Sequence, residues 1–305
     1  MSRKIIVIGN GMVGHKFCEK LCDKAKPGQF EITVFGEEPR VAYDRVHLSE
    51  YFDPEKTAAS LALADLNWYL SRSINLILGN RVSAIDKEKK EVTAQDGSIH
   101  SYDILVMATG SAPFVPPIPG SDKKGVFVYR TIEDLDGMKA HAPHAERGAV
   151  IGGGLLGLEA AKAMLDLGIS DTQVIEFAPR LMPRQIDDRG SAVLQAKLET
   201  LGLKIRTSTN TSEIAGNGCI EAMKFADGTE IPVDMLVISA GIKPRDELAR
   251  DAGLEVGPRG GIVVDTLLTT SNPDIYAIGE CALPNEMTYG LVAPGYEMAD
   301  VVATN

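Results

Sequence analysis

Residues 4–14 read Lys4-Ile5-Ile6-Val7-Ile8-Gly9-Asn10-Gly11-Met12-Val13-Gly14. An apolar β-branched run, a G-x-G-x-x-G turn and a helical pattern follow one another directly, and that context gives such a turn its weight. Gly9 permits the tight turn, Gly11 lets a pyrophosphate approach the backbone, and Gly14 lets helix and strand pack closely. Met12 and Val13 open the helical stretch Met12–Lys24, whose first N–H groups and positive dipole end suit a diphosphate. The next strand-like run, Glu31–Phe35, leads into Gly36-Glu37-Glu38. A carboxylate just past this second strand is where a nucleotide ribose is held, which makes Glu37 the favoured candidate and Glu38 its neighbour in reserve. The plain alternative is a tight turn followed by a solvated acidic pair.

A second copy begins at Gly148. Ala149–Ile151 is strand-like, Gly152-Gly153-Gly154-Leu155-Leu156-Gly157 repeats the turn, Leu155–Leu167 is helical, and Thr172–Glu176 is the next strand. Gly152, Gly154, Leu155, Leu156 and Gly157 are therefore candidates for a second diphosphate site. A carboxylate at Glu176 accepts from a free ribose 2′-hydroxyl and repels a 2′-phosphate, favouring NADH over NADPH, while Arg180 four residues on softens that preference. Two such turns in one chain point to two dinucleotides, for which FAD and a nicotinamide are the obvious pair. The protein's task is then to align them rather than to supply acid–base chemistry.

Around these turns, short apolar strands alternate with helical patterns, so the expected fold is α/β with two Rossmann-like dinucleotide-binding domains. Four prolines in Ser111–Gly120, namely Pro113, Pro116, Pro117 and Pro119, exclude helix and central strand and mark a connector. Gly241-Ile242-Lys243-Pro244 reads as the return, and Gly261–Val264 and Ile275–Ile278 as strands rejoining the first domain. The expected domains are 1–114 with 246–305, discontinuous and FAD-binding, and 115–245, inserted and NAD-binding. A length of 305 residues fits two domains, and 44% hydrophobic with 24% charged residues is ordinary globular composition. With 31 basic against 42 acidic residues, the net charge of −11 argues against a nucleic-acid partner. No stretch reaches the roughly 18 apolar residues of a membrane helix, and Ile5–Ile8 is too short for a secretory signal, so a cytoplasmic protein is expected. Cys18, Cys22, Cys219 and Cys281 make no C-x-x-C pair or metal cluster and read as reduced thiols, Cys18 and Cys22 as small core or half-buried residues and Cys281 as a small residue next to the Thr270–Glu280 stretch. His15, His100, His141 and His144 default to surface roles.

Thr270-Ser271-Asn272-Pro273-Asp274-Ile275-Tyr276-Ala277-Ile278-Gly279-Glu280 resembles the T-S-x-P-x-I-x-A-x-G-D motif of the glutathione-reductase-like flavoproteins. With the two glycine turns, the chain is similar to the FAD- and NAD-binding part of that group, in particular its NADH-dependent ferredoxin and rubredoxin reductase branch. The resemblance implies three-layer ββα domains of the glutathione-reductase type and a set of contacts. Gly279 and Glu280 would meet the ribityl and diphosphate portion of FAD, Glu280 replacing the usual Asp with one more methylene. Ala108-Thr109-Gly110 resembles the A-T-G beside FAD, and Val82 falls where backbone contacts adenine. Arg130 in Arg130-Thr131-Ile132-Glu133-Asp134 resembles the arginine of R-T-x-x-D that meets FAD; Ala293 completes the FAD set and Gly241 the NAD set. Glu159 matches a glutamate near the flavin–nicotinamide junction, an ordinary helix-surface carboxylate being equally compatible.

Two departures narrow the chemistry. Tyr43-Asp44-Arg45-Val46-His47-Leu48-Ser49-Glu50-Tyr51 holds no redox cysteine, which excludes disulfide reductase and thiol peroxidase readings. The ferredoxin reductase branch has R-P-P-L-S-K in this loop; Glu50 stands at the lysine position, leaving Arg45 as the flavin-contacting candidate and, with Glu159, the catalytic one, with His47 nearby in the loop. The wording of this loop, with Phe35–Arg40, Phe177–Pro183, Ala277–Ala282 and Tyr289–Glu297, resembles the N-terminal region of the large subunits of assimilatory NAD(P)H nitrite reductases. That implies a module taking hydride from NAD(P)H onto FAD and passing electrons singly to iron–sulfur and sirohaem centres that reduce nitrite to ammonia. Those enzymes continue into interface, [2Fe–2S] and sirohaem domains, so a piece of a longer protein is expected, its acceptor lying in those domains or in a small subunit. The alternatives are a free-standing NADH:rubredoxin or ferredoxin reductase and, with least support, a non-catalytic flavoprotein that responds to NADH.

Overall fold

The computed structural model describes residues 2–26 and 28–305, and the chain divides into two units. One comprises Met1–Asp44, Ala59–Ala112 and Lys243–Asn305; the other comprises Arg45–Ala58 and Pro113–Ile242.

In the first unit the strand Arg3–Ile8 is central. Phe30–Phe35 and then Ile74–Ile77 lie to one side, Ile104–Met107 and then Ile275–Ala277 to the other, all parallel. A parallel sheet covered on both faces needs apolar side chains at every position, which is why Ile5-Ile6-Val7-Ile8 does not alternate; none of the four is more than 5% exposed. Helix Met12–Lys24 follows the glycine turn and packs against helix Val292–Thr304. An antiparallel meander, Val82–Asp86, Glu91–Ala94 and Ile99–Ser101, contributes Val82, Ile85 and Val92 to the same core.

The second unit repeats the plan. Arg147–Ile151 is central, with Asp171–Ile175 and Lys204–Arg206 on one side and Met235–Ile238 and Val126–Val128 on the other, again all parallel. Only the fifth strand differs in origin: Val126–Val128 precedes its glycine turn in sequence, whereas Ile275–Ala277 follows its own. Ala149, Ile175, Leu236 and Ile238 share a core with the meander Thr211–Ala215, Ala222–Phe225 and Glu230–Pro232. Strand alternation turns Val150, Val174 and Val237, each 0% exposed, to the opposite face.

Residues 45–58, read from sequence with the first domain, group instead with the second unit. The Tyr51 hydroxyl donates to Asp136 at 2.7 Å, Lys139 Nζ donates to the Tyr51 carbonyl at 2.7 Å, and the Phe52 ring stacks on Tyr129. The helix that receives this strap, Ile132–His141, starts at a capping box in which Thr131 Oγ1 accepts from the Asp134 N–H and Asp134 accepts from the Thr131 N–H. Among the described residues no helix is long and apolar enough to cross a membrane.

Candidate functional site

The chain leaves Ile8 through Gly9 at φ +114°, a conformation that glycine adopts without strain. A Cβ on Gly9 would run into the Ala108 carbonyl, and one on Gly14 into the Gly9 carbonyl, so these two glycines are demanded by the fold itself. Gly11, at the helix N-cap, is different: a Cβ there would meet no protein atom within 4 Å. The space beside it is open, and the helix N-terminus carries no side-chain cap. Beside Gly11, Asn10 buries an Nδ2 donor that has no partner in the protein. An open cradle, uncapped N–H groups and an orphaned donor fit the diphosphate half of a dinucleotide.

Most of the remaining candidate residues lie just beyond the C-terminal ends of adjacent parallel strands, where such folds bind ligands. Gly9–Gly14 follow Ile8, Glu37 and Glu38 follow Phe35, Ala108–Gly110 follow Met107, and Gly279 and Glu280 follow Ala277. Glu38 accepts from the Tyr43 hydroxyl at 2.8 Å, whereas Glu37 pairs with Arg245 at 2.5 Å and lies 3.9 Å from Arg81. Arg245 escaped the sequence reading. Its N–H donates to the Gly110 carbonyl and its own carbonyl accepts from Thr109 Oγ1 at 2.7 Å, so the Ala108–Gly110 turn and Glu37 share one anchor. Glu280 accepts from the buried Ser111 hydroxyl at 2.6 Å, and the Val13 side chain fills the space left by Gly279 and Gly295. Val82 is buried at the start of the meander, and Ala293 is exposed in the first turn of its helix.

The second turn has the same construction. Cβ atoms on Gly152 and Gly157 would strike the carbonyls of Ser239 and Gly152, while one on Gly154 would meet nothing within 4 Å. Leu155 and Leu156 begin the helix, and Gly241, at φ +122°, accepts from the Phe114 N–H. The acid differs. Gly152 N–H donates to the Ile175 carbonyl as Gly9 N–H does to Phe35, so Glu176 corresponds to Gly36 and Glu37 stands one residue further along. Glu176 is fixed by two backbone donors, Gly153 N–H to Oε2 and Ala178 N–H to Oε1, both at 2.6 Å. Arg180 is engaged by Asp188 at 2.5 Å and by the Pro183 carbonyl.

Arg45, Arg130 and Glu159 all belong to the second unit. Arg45 donates to the Arg130 carbonyl at 2.9 Å, and the Arg130 N–H is held in turn by Asp134. Glu159 lines a cavity of about 680 Å³ together with Leu155, Leu158, Glu50 and Phe52. Burial pushes its carboxyl pKa above the ordinary value, with the His47 charge opposing. His15 corrects the surface expectation: it is 6% exposed and bonded to Tyr69, because its helix turns it toward the neighbouring helix Leu66–Ser71. Cys18 and Cys281 are buried and Cys22 is half-buried. Among the described residues no group of His, Cys, Asp and Glu is arranged to hold a metal ion.

Residues 3–300 match the family described as pyridine nucleotide-disulphide oxidoreductase. The chain is 53% identical over 301 residues to the NADH nitrite reductase large subunit of Escherichia coli (strain K12), covering 98% of this chain and 35% of that one. It is 34% identical over 282 residues to the ferredoxin–NAD(+) reductase subunit of the benzene 1,2-dioxygenase system of Pseudomonas putida, covering 92% and 68%. A solved ferredoxin reductase from Rhodopseudomonas palustris superposes with a TM-score of 0.93 at 28% identity, over 99% of this chain and 76% of that one. The chain spans 28% to 37% of the length of the nitrite reductases it matches. Duplicated glycine turns at the ends of two parallel sheets, and matches running the length of the sequence, make this chain a member of the pyridine nucleotide-disulphide oxidoreductase family.

Proposed function

We propose that the chain is the NADH-oxidising FAD module of a nitrite reductase, forwarding electrons to iron–sulfur and sirohaem centres where nitrite becomes ammonia. The observation that carries this reading is the pair of open glycine turns in one chain, at Gly11 and Gly154. The identity of 53% to the E. coli large subunit directs it to nitrite reduction. On this reading FAD belongs to the expected domain 1–114 with 246–305 and NADH to 115–245, residues 45–58 being carried on the NAD-binding unit. FAD, once bound, supplies a carrier that accepts hydride and releases electrons one at a time.

This chain's residues do the rest by binding and orientation. The N–H groups after Gly11 and Gly154 hold the two diphosphates, and Glu37 and Glu176 hold the riboses. Glu176, fixed by Gly153 and Ala178, presents a carboxylate where a 2′-phosphate would lie, which favours NADH over NADPH. Within the NAD-binding unit Arg45 is anchored on the Arg130 carbonyl, and Glu159 lines the cavity beside Leu155 and Leu158.

The test is NADH-dependent reduction of ferricyanide by the pure chain, with nitrite offered separately. Rapid ferricyanide reduction without ammonia formation is expected; ammonia from the chain alone would contradict the modular reading. A second reading, a free-standing ferredoxin reductase, draws on the P. putida relative, of which the chain covers 68%. Cytochrome c reduction that depends on an added small iron–sulfur protein would move the assignment there.

A further inference from the structure

Tyr69, 1% exposed, places its hydroxyl between Asn10 of the first glycine turn and His15 of the helix behind it, with the Ala42 backbone N–H as a further donor to the phenol oxygen. It donates to Asn10 Oδ1 at 3.1 Å and lies 2.9 Å from His15 Nδ1. A phenol has one proton, so with Asn10 accepting it, His15 Nδ1 carries the hydrogen that completes the chain. Burial lowers the His15 pKa to about 4, so at neutral pH the ring is uncharged and has a single N–H to give. The Trp68 ring lies against the imidazole at 4.6 Å between centroids and holds it from the side. The direction of the relay is therefore set: His15 donates to Tyr69, Tyr69 donates to Asn10, and the Asn10 amide turns its Nδ2 hydrogens away from Tyr69. That Nδ2 is buried and finds no acceptor in the protein. Buried amide donors are nearly always paired, and this one sits between Gly9 and Gly11, in the turn open to a diphosphate.

We propose that Asn10 is a nucleotide-positioning residue, its Nδ2 donor aimed by the His15–Tyr69 relay at an oxygen of the ADP half of FAD. The proposal rests on the assignment of FAD to the first unit. The second turn lacks the device: Gly153 stands at the equivalent position and gives its backbone N–H to Glu176.

The experiment is FAD affinity of the apoprotein, read by quenching of flavin fluorescence, for Asn10→Ala, Tyr69→Phe and the double variant, with urea midpoints of the apo forms beside them. Asn10→Ala is expected to weaken FAD about tenfold, the loss of one hydrogen bond to a charged or polar acceptor. Tyr69→Phe should weaken it less, and the double variant should be no worse than Asn10→Ala, since nothing remains for Tyr69 to orient. Losses that simply add, or that track the urea midpoints, would overturn the proposal in favour of a structural role. Asn10→Leu keeps the volume without a donor and should match Asn10→Ala; wild-type affinity in either variant overturns the proposal even if Tyr69→Phe fails to fold. A wild-type chain that takes up no FAD would instead remove the underlying assignment, and the proposal with it.

Discussion

Gly9, Gly11 and Gly14 share one turn yet differ in what an added methyl group meets. At Gly9 and Gly14 it meets backbone carbonyls; at Gly11 it meets open space. Gly11→Ala is therefore expected to fold with a near-normal urea midpoint and to purify with little or no flavin, whereas Gly14→Ala should lose the fold itself. A Gly11→Ala protein with full flavin content would refute the diphosphate site. On the proposed ribose role of Glu176, Glu176→Ala should raise the KM for NADH about tenfold or more and leave that for NADPH nearly unchanged or improved, since a carboxylate there would accept from a 2′-hydroxyl and repel a 2′-phosphate. Equal changes in both constants would rule out the ribose role. The glycines and Glu176 were legible in sequence because spacing alone specifies them. Asn10, Tyr69 and Arg245 were not: Tyr69 lies 59 residues from Asn10, and Arg245 lies 208 residues from Glu37, separations at which no local pattern survives.

At the scale of elements, the strap 45–58 shows the same limit. Its anchors, Tyr51 to Asp136 and Tyr51 to Lys139, bridge 85 and 88 residues, so the sequence placed it by continuity with Asp44 while packing carries it to the second unit. The R-T-I-E-D stretch, by contrast, has a local physical meaning in addition to its resemblance: Thr131 and Asp134 close a capping box on helix Ile132–His141. Thr131→Ala should cost about 1 kcal/mol of stability, read from urea denaturation, and loosen the strap docked on that helix. Unchanged stability together with unchanged proteolysis within 45–58 would contradict that coupling. The strands were readable wherever apolar runs are uninterrupted, as at Ile5–Ile8, since both faces of the sheet are covered.

At the scale of the whole molecule, one plan is used twice, and the duplication was legible because each copy carries its own strand, turn, helix and terminal acid. The edge strand Val126–Val128 of the second unit was not, since it carries no motif, whereas Ile275–Ala277 of the first lies within the Thr270–Glu280 motif and was read as a strand rejoining that domain. Stability as a whole should depend on acid through His15. In the unfolded chain its ring takes a proton near pH 6.5, but in the folded protein only at about 4, so between these values the unfolded state binds more protons. The stabilisation is complete above pH 6.5 and is lost progressively down to about 4, the loss at pH 5 being about 2 kcal/mol. Urea midpoints at pH 7 and pH 5 should show the drop, and His15→Gln should reduce it; an identical drop in the variant would contradict the assignment to His15.

The central claim, an FAD module reduced by NADH, is tested most directly by the visible spectrum of the purified, FAD-saturated chain before and after anaerobic addition of NADH, with NADPH beside it. A yellow protein that bleaches rapidly with NADH and far more slowly with NADPH is expected. A chain that binds no flavin from added FAD, or a bound flavin that neither nucleotide bleaches, would contradict it.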